Sequence, residues 1–132
     1  MNKFIKLLVV AVFMISSGTI YQKFYRPEGI GPIEPTGNVV EINIRAKENQ
    51  WRWEPADIRL RGGDLVRLHI FNEDNYDHGF AIEAFGINKR LFPRRETIVE
   101  FVASRVGRFQ FYCSVPCGKG HYDQIGAIFV EE

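Results

Sequence analysis

The sequence predicts an all-β sandwich behind an N-terminal apolar segment. Short runs of alternating apolar and polar residues recur along the chain, turn-forming residues separate them, and no stretch after Ile20 has helical periodicity. Several short strands at such spacing are the pattern of two stacked sheets. At 132 residues the chain makes one small domain plus an appendage, and a body of roughly ninety residues is large enough to fold unaided with modest burial. The net charge of +1 gives no reason to expect nucleic acid or a polybasic membrane patch.

The elements follow in order. Val39-Val40-Glu41-Ile42-Asn43-Ile44-Arg45 alternates as a half-buried strand does, and Trp51-Arg52-Trp53 continues that alternation until Pro55. Ile58-Arg59-Leu60 leads into a Gly62-Gly63-Asp64 turn, and Leu65 to Phe71 is the next strong strand. A polar loop covers Asn72 to Asp77, then come His78, Phe80-Ala81-Ile82 and an irregular section to Pro93. Thr97 to Val102 and Arg108 to Tyr112 read as strands, and Ile125 to Val130 closes the domain. His69 alternates to the face opposite Leu68 and Ile70, which makes it a strand histidine and not a ligand.

Residues 1–25 read as a targeting segment. Lys3 and Lys6 precede the apolar run Leu7 to Ile15, and Ser16-Ser17-Gly18 supplies small residues suited to processing. A membrane anchor needs about 20 mostly apolar residues, a length reached only by admitting several polar ones. Signal peptide and signal anchor both stay open, and either leaves the domain outside the cytoplasmic membrane. Residues 26–37, rich in Pro and Gly, read as a tether, with the domain at 38–132.

The chemistry concentrates in Cys113-Ser114-Val115-Pro116-Cys117-Gly118-Lys119-Gly120-His121-Tyr122-Asp123-Gln124, which holds both cysteines of the chain. In an exported protein such a pair can form a disulfide. It can equally bind metal, and thiolate plus imidazole with a weak axial neighbour is what copper electron-transfer sites use. His121, four residues after Cys117, and His78 in a loop-like setting favour metal.

The spacing Cys-x3-Cys-x3-His-x2-Gln resembles the copper loop of CuA domains, the family found in subunit II of haem–copper cytochrome oxidases and in nitrous-oxide reductase. That family's loop ends in Met where this chain has Gln124, and Asp77-His78-Gly79-Phe80 resembles its upstream histidine element. The likeness runs from about Val39 to Val130 and includes Trp53-Glu54-Pro55, Gly107-Arg108-Phe109 and Gln124-Ile125-Gly126. It implies a cupredoxin-like Greek-key sandwich and a dinuclear copper centre. Cys113 and Cys117 would bridge two coppers, His78 and His121 would be terminal ligands, and the Val115 carbonyl and Gln124 would be weak axial ligands. The implied function is one-electron transfer outside the cytoplasm, from a cytochrome c or cupredoxin donor to a haem–copper oxidase or similar acceptor. No catalysis is expected from this chain alone.

Copper delivery to an oxidase is the rival reading, and a small copper reductase is a third. The family's aromatic patch at the point of electron entry suits Trp53 more than Trp51. Asp77 reads first as a solvated loop carboxylate and second as a group that fixes the His78 ring; Lys89, Arg90, Arg94 and Arg95 read first as a solvated basic loop and second as a docking site for an acidic partner.

Overall fold

The computed structural model describes residues 1–25 and 32–132. The chain divides into two units, Met1–Gly31 and Pro32–Glu132. Among its described residues the first contains one helix, α1 (Lys3–Phe24). Asn2 caps it, its Oδ1 accepting from the Phe4 amide at 3.3 Å. None of its residues is buried, and at 22 residues it is long and apolar enough to cross a membrane.

The second unit stacks two sheets. Its strands are β1 (Val39–Ala46), β2 (Trp53–Glu54), β3 (Asp57–Arg61), β4 (Leu65–Asn72), β5 (His78–Ile82), β6 (Ile87–Leu91), β7 (Glu96–Val102), β8 (Gly107–Tyr112) and β9 (Ile125–Glu131). One sheet runs β2-β1-β4-β7 and the other β3-β9-β8-β5-β6. Parallel pairings join β1 to β4 and β3 to β9, so the chain crosses between sheets instead of forming hairpins throughout. In β4 buried residues alternate with partly exposed ones, as the sequence pattern requires of a sheet with one covered face. β5 is buried along its whole length.

The inward faces meet in an aromatic and aliphatic core. Trp53 and Phe80 cross edge to face with centroids 5.4 Å apart, and Phe80 lies 5.3 Å from Phe111. Ile44, Leu68, Ile70, Ile82, Leu91 and Ile128 fill the space around them.

Two stretches depart from the sequence pattern. The section before Pro93 is not irregular throughout, because Ile87–Leu91 forms the edge strand β6. Asn88, Lys89 and Arg90 are all exposed there, so an edge strand buried only at its two ends shows no alternation. Trp51 does not continue a strand either. Residues 47–52 form a turn in which Asn49 and Trp51 adopt φ of 55° and 45°, closed by Lys47 N–H donating to the Arg52 carbonyl at 3.1 Å. Of the expected tether, residues 26–31 lie outside the described residues. Ile33 and Thr36 hydrogen-bond through their amides to the carbonyls of Ser104 and Gly63, at 2.7 and 2.8 Å.

Candidate metal centre

One end of the sandwich gathers side chains from three places: the start of β5, the β8–β9 loop and the loop between β4 and β5. The β8–β9 loop is pinched at its base, where Cys113 N–H donates to the Gln124 carbonyl at 3.1 Å. The Trp53 indole donates to the same carbonyl at 3.1 Å from within the core. Gly118, at φ 117°, turns the chain after Cys117, and His121 N–H bonds back to the Gly118 carbonyl at 3.2 Å. Local glycine geometry and a core anchor thus hold the loop shut.

Both cysteines are free thiols, with their sulfurs 3.2 Å apart. His78 Nδ1 lies 3.7 Å from Cys113 Sγ, and His121 Nδ1 lies 3.5 Å from Cys117 Sγ. Two weaker donors complete the cluster. The Val115 carbonyl is 3.1 Å from Cys113 Sγ, and Gln124 Oε1 is 3.5 Å from Cys117 Sγ. The ligand atoms of His78, Cys113 and Cys117 all fall within 4.8 Å of one another. The donors therefore divide into two arms around a sulfur pair, each arm with one imidazole and one oxygen. Soft sulfur with imidazole is a donor set that fits copper.

His78 and Gln124 are fully buried and the two cysteines nearly so, while His121 is partly exposed. The fit is tight: a Cβ added at Gly79 would collide with Ser114 and come within 2.7 Å of the Val115 nitrogen. Gly79 N–H also donates to Cys113 Sγ at 3.4 Å.

Sequence reasoning missed the carboxylate that fixes His78. Asp74, only 1% exposed, accepts from His78 Nε2 at 2.7 Å. Asp77, expected in that role, pairs instead with Arg90 on β6 (Nε to Oδ2 2.7 Å). The signal was present in Asn72, whose Oδ1 accepts the Asp74 amide at 3.0 Å and whose Nδ2 donates to the Tyr76 carbonyl at 2.8 Å. Such side-chain-to-backbone bonds build the β4–β5 loop around Asp74. With Nε2 committed to Asp74, a neutral His78 ring carries its lone pair on Nδ1, facing Cys113.

The thiols share their protons unequally. Burial resists ionisation of Cys113. The hydrogen bonds from His78, the Gly79 amide and Cys117 outweigh it and bring its pKa down to about 6. Burial, and then the neighbouring Cys113, push Cys117 up to about 12. Burial opposes charging His78, but its bonds to Cys113 and Asp74 raise its pKa.

Trp53 is 2% exposed and belongs to the core, so it offers no surface to a partner. Trp51 is the half-buried indole that lies against the loop, donating to the Cys117 carbonyl at 2.7 Å. Arg90 is neutralised by Asp77 and Arg94 pairs with Glu48, which leaves much less free positive charge than four basic residues imply. His69 sits on the outer face of its sheet, 3.5 Å from Glu96.

A cupredoxin-like domain model matches residues 6–122. Cytochrome c oxidase subunit 2 of Thermus thermophilus is 30% identical over 80 residues, covering 61% of this chain and 58% of that protein. Nitrous-oxide reductase of Stutzerimonas stutzeri is 30% identical over 78 residues, covering 57% of this chain but 12% of the reductase. The chain thus spans a little over half of the subunit 2 relative and about an eighth of the reductase. Among solved structures, the periplasmic domain of subunit II of cytochrome oxidase from Bradyrhizobium japonicum superposes with a TM-score of 0.61 at 23% identity, over 70% of this chain and 84% of that one. The chain belongs to the cupredoxin-like domain family and is homologous to cytochrome c oxidase subunit 2 and nitrous-oxide reductase.

Proposed function

We propose that this chain is a copper-based one-electron carrier with a dinuclear, CuA-type centre outside the cytoplasmic membrane. The observation that carries the reading is the two-armed donor set. His78 with Cys113 and His121 with Cys117 flank one sulfur pair, with the Val115 carbonyl and Gln124 Oε1 beside them. A single copper of the mononuclear kind needs only one thiolate. When bound, copper supplies a centre that accepts and gives up one electron.

The chain's own residues supply rigidity. Asp74 orients His78, the pinched loop base holds Cys113 and Gln124, and Ser114 and Val115 pack closely against Gly79 on β5. A donor set that stays in place in both oxidation states lowers the cost of electron transfer. Burial also supports a carrier over the rival delivery reading, because transfer of metal to another protein calls for accessible donors. His121 is the edge that reaches the surface, flanked by Tyr122, 85% exposed, and Ile125, 45% exposed. That apolar rim suits brief contact with a cytochrome c or cupredoxin donor, and with an oxidase catalytic subunit or similar acceptor. We assign residues 1–25 to a membrane anchor or cleaved leader, 26–37 to the connecting segment and 38–132 to the copper domain.

Copper stoichiometry with electron paramagnetic resonance tests the reading on the copper-loaded full-length chain. Two coppers per chain, with one unpaired electron shared over both nuclei, is the expected result. One copper with single-nucleus splitting would sink the dinuclear centre and bring delivery or mononuclear chemistry forward.

A further inference from the structure

The turn at residues 47–52 carries two non-glycine residues in the left-handed region, and one of them is a tryptophan. A bulky residue at φ 45° is strained, and such strain persists only where surrounding contacts hold it. At this turn the contacts lead to both halves of the metal centre. Asn49 N–H donates to Asp74 Oδ1 at 2.8 Å, and the other oxygen of that carboxylate takes His78 Nε2 at 2.7 Å. Two residues later, the Trp51 indole N–H donates to the Cys117 carbonyl at 2.7 Å.

The Trp51 ring also lies flush on the arc that carries Cys117 to His121. A Cβ at Gly118 would come within 2.9 Å of the indole, and one at Gly120 within 2.5 Å. Lys119, between those glycines, places its ammonium 5.9 Å from the ring centroid. The turn is itself fastened, with Glu48 N–H donating to Glu73 Oε2 at 3.3 Å and Lys47 Nζ 3.1 Å from Glu73 Oε1.

We propose that residues 47–52 form a two-pronged clamp that positions the copper ligands from outside. One prong, Asn49 through Asp74, fixes the His78 arm, and the other, Trp51, fixes the arm of Cys117 and His121. Trp51 and Asn49 are positioning residues. They touch no metal, and their work is to hold the loop closed so that bound copper is released slowly. The copper readout of this idea rests on the copper-site reading above; the loop readout does not.

The test compares the native full-length chain with Trp51→Phe and Asn49→Gly. Trp51→Phe keeps an aromatic ring over the glycines but removes the indole N–H. In metal-free protein, hydrogen exchange of the His121 and Asp123 amides, which close the loop on Gly118 and Gly120, is expected to speed up about fivefold. The amides of the β8–β9 ladder should stay unchanged. That magnitude is the worth of one hydrogen bond. In copper-loaded protein, Trp51→Phe should lose copper to a chelator about fivefold faster. Asn49→Gly keeps the amide donor, and its relief of the backbone is offset by the greater freedom of the unfolded chain, so copper loss and melting temperature should both stay close to native.

Loop exchange unchanged in Trp51→Phe would overturn the clamp, whether or not the protein takes copper. Faster exchange with unaltered copper release would overturn its role in metal retention. Accelerated copper loss from Asn49→Gly would overturn the assignment of that prong to the Asn49 amide alone. A native chain that binds no copper would refute the copper reading instead, while loop exchange would still decide the clamp.

Discussion

Gln124 is fully buried beside the sulfurs, and its backbone carbonyl takes hydrogen bonds from both Cys113 and Trp53. Its position is therefore fixed by the main chain and not by its amide. Among the described residues, the side-chain Nε2 has no hydrogen-bond partner, and a buried unsatisfied donor costs about 1–3 kcal/mol. An oxygen donor in the weak axial position favours the oxidised metal more than a thioether does. Gln124→Met is therefore expected to raise the reduction potential, on the order of 60 mV for a tenfold change in relative affinity for the two oxidation states. It should leave thermal stability intact or improved. Voltammetry on copper-loaded native and variant chains reads the first effect, and an unchanged or lowered potential would show that Gln124 does not act on the metal through its oxygen.

Among the elements, β5 and the β8–β9 loop decide whether the site exists. Gly79 on β5 leaves no space for a side chain beneath Ser114 and Val115. Gly79→Ala is expected to cost about 1–3 kcal/mol, as overpacking does, and to displace the loop that carries Cys113. Reduced copper stoichiometry with a lower melting temperature is the expected outcome; full copper loading at native stability would mean that the loop has slack. The alternation of β1, β4 and β7 and the Cys-to-Gln motif were legible in the sequence because each is a local pattern. β6 was not, because its three exposed central residues hide the period. Trp51-Arg52 reads as strand because Trp-x-Trp alternates in the sequence, whereas Trp53 is packed in the core and Trp51 lies over the outside of the loop.

At the scale of the whole molecule, metal binding and folding are linked, since the donors are brought together by strands distant in sequence. Removing copper is expected to lower the melting temperature, by an amount that depends on pH. Cys113, with its pKa brought down to about 6, takes up a proton as pH falls through that value. His78, raised, and Cys117, pushed up to about 12, still hold protons above it and must release them when metal binds. Copper affinity and the stability it confers should therefore rise with pH from below 6 upward. Melting curves with and without copper at pH 5 and pH 8 check this, and an equal gain at both values would contradict it.

Donor types, their spacing within one loop and the strand periods that bury one face of each sheet are written in the order of residues, because they are properties of chain neighbours. The supports of the site emerge only when the chain is folded. Asp74 rather than Asp77 holds His78, Trp51 rather than Trp53 lies on the loop, and Arg90 and Arg94 are neutralised by carboxylates distant in the chain. Each of those choices depends on which of two nearby residues the backbone turns toward its partner, whether that partner is four residues away, as His78 is from Asp74, or 66, as Cys117 is from Trp51. Spacing along the chain does not encode that orientation; the crossing of the two sheets sets it.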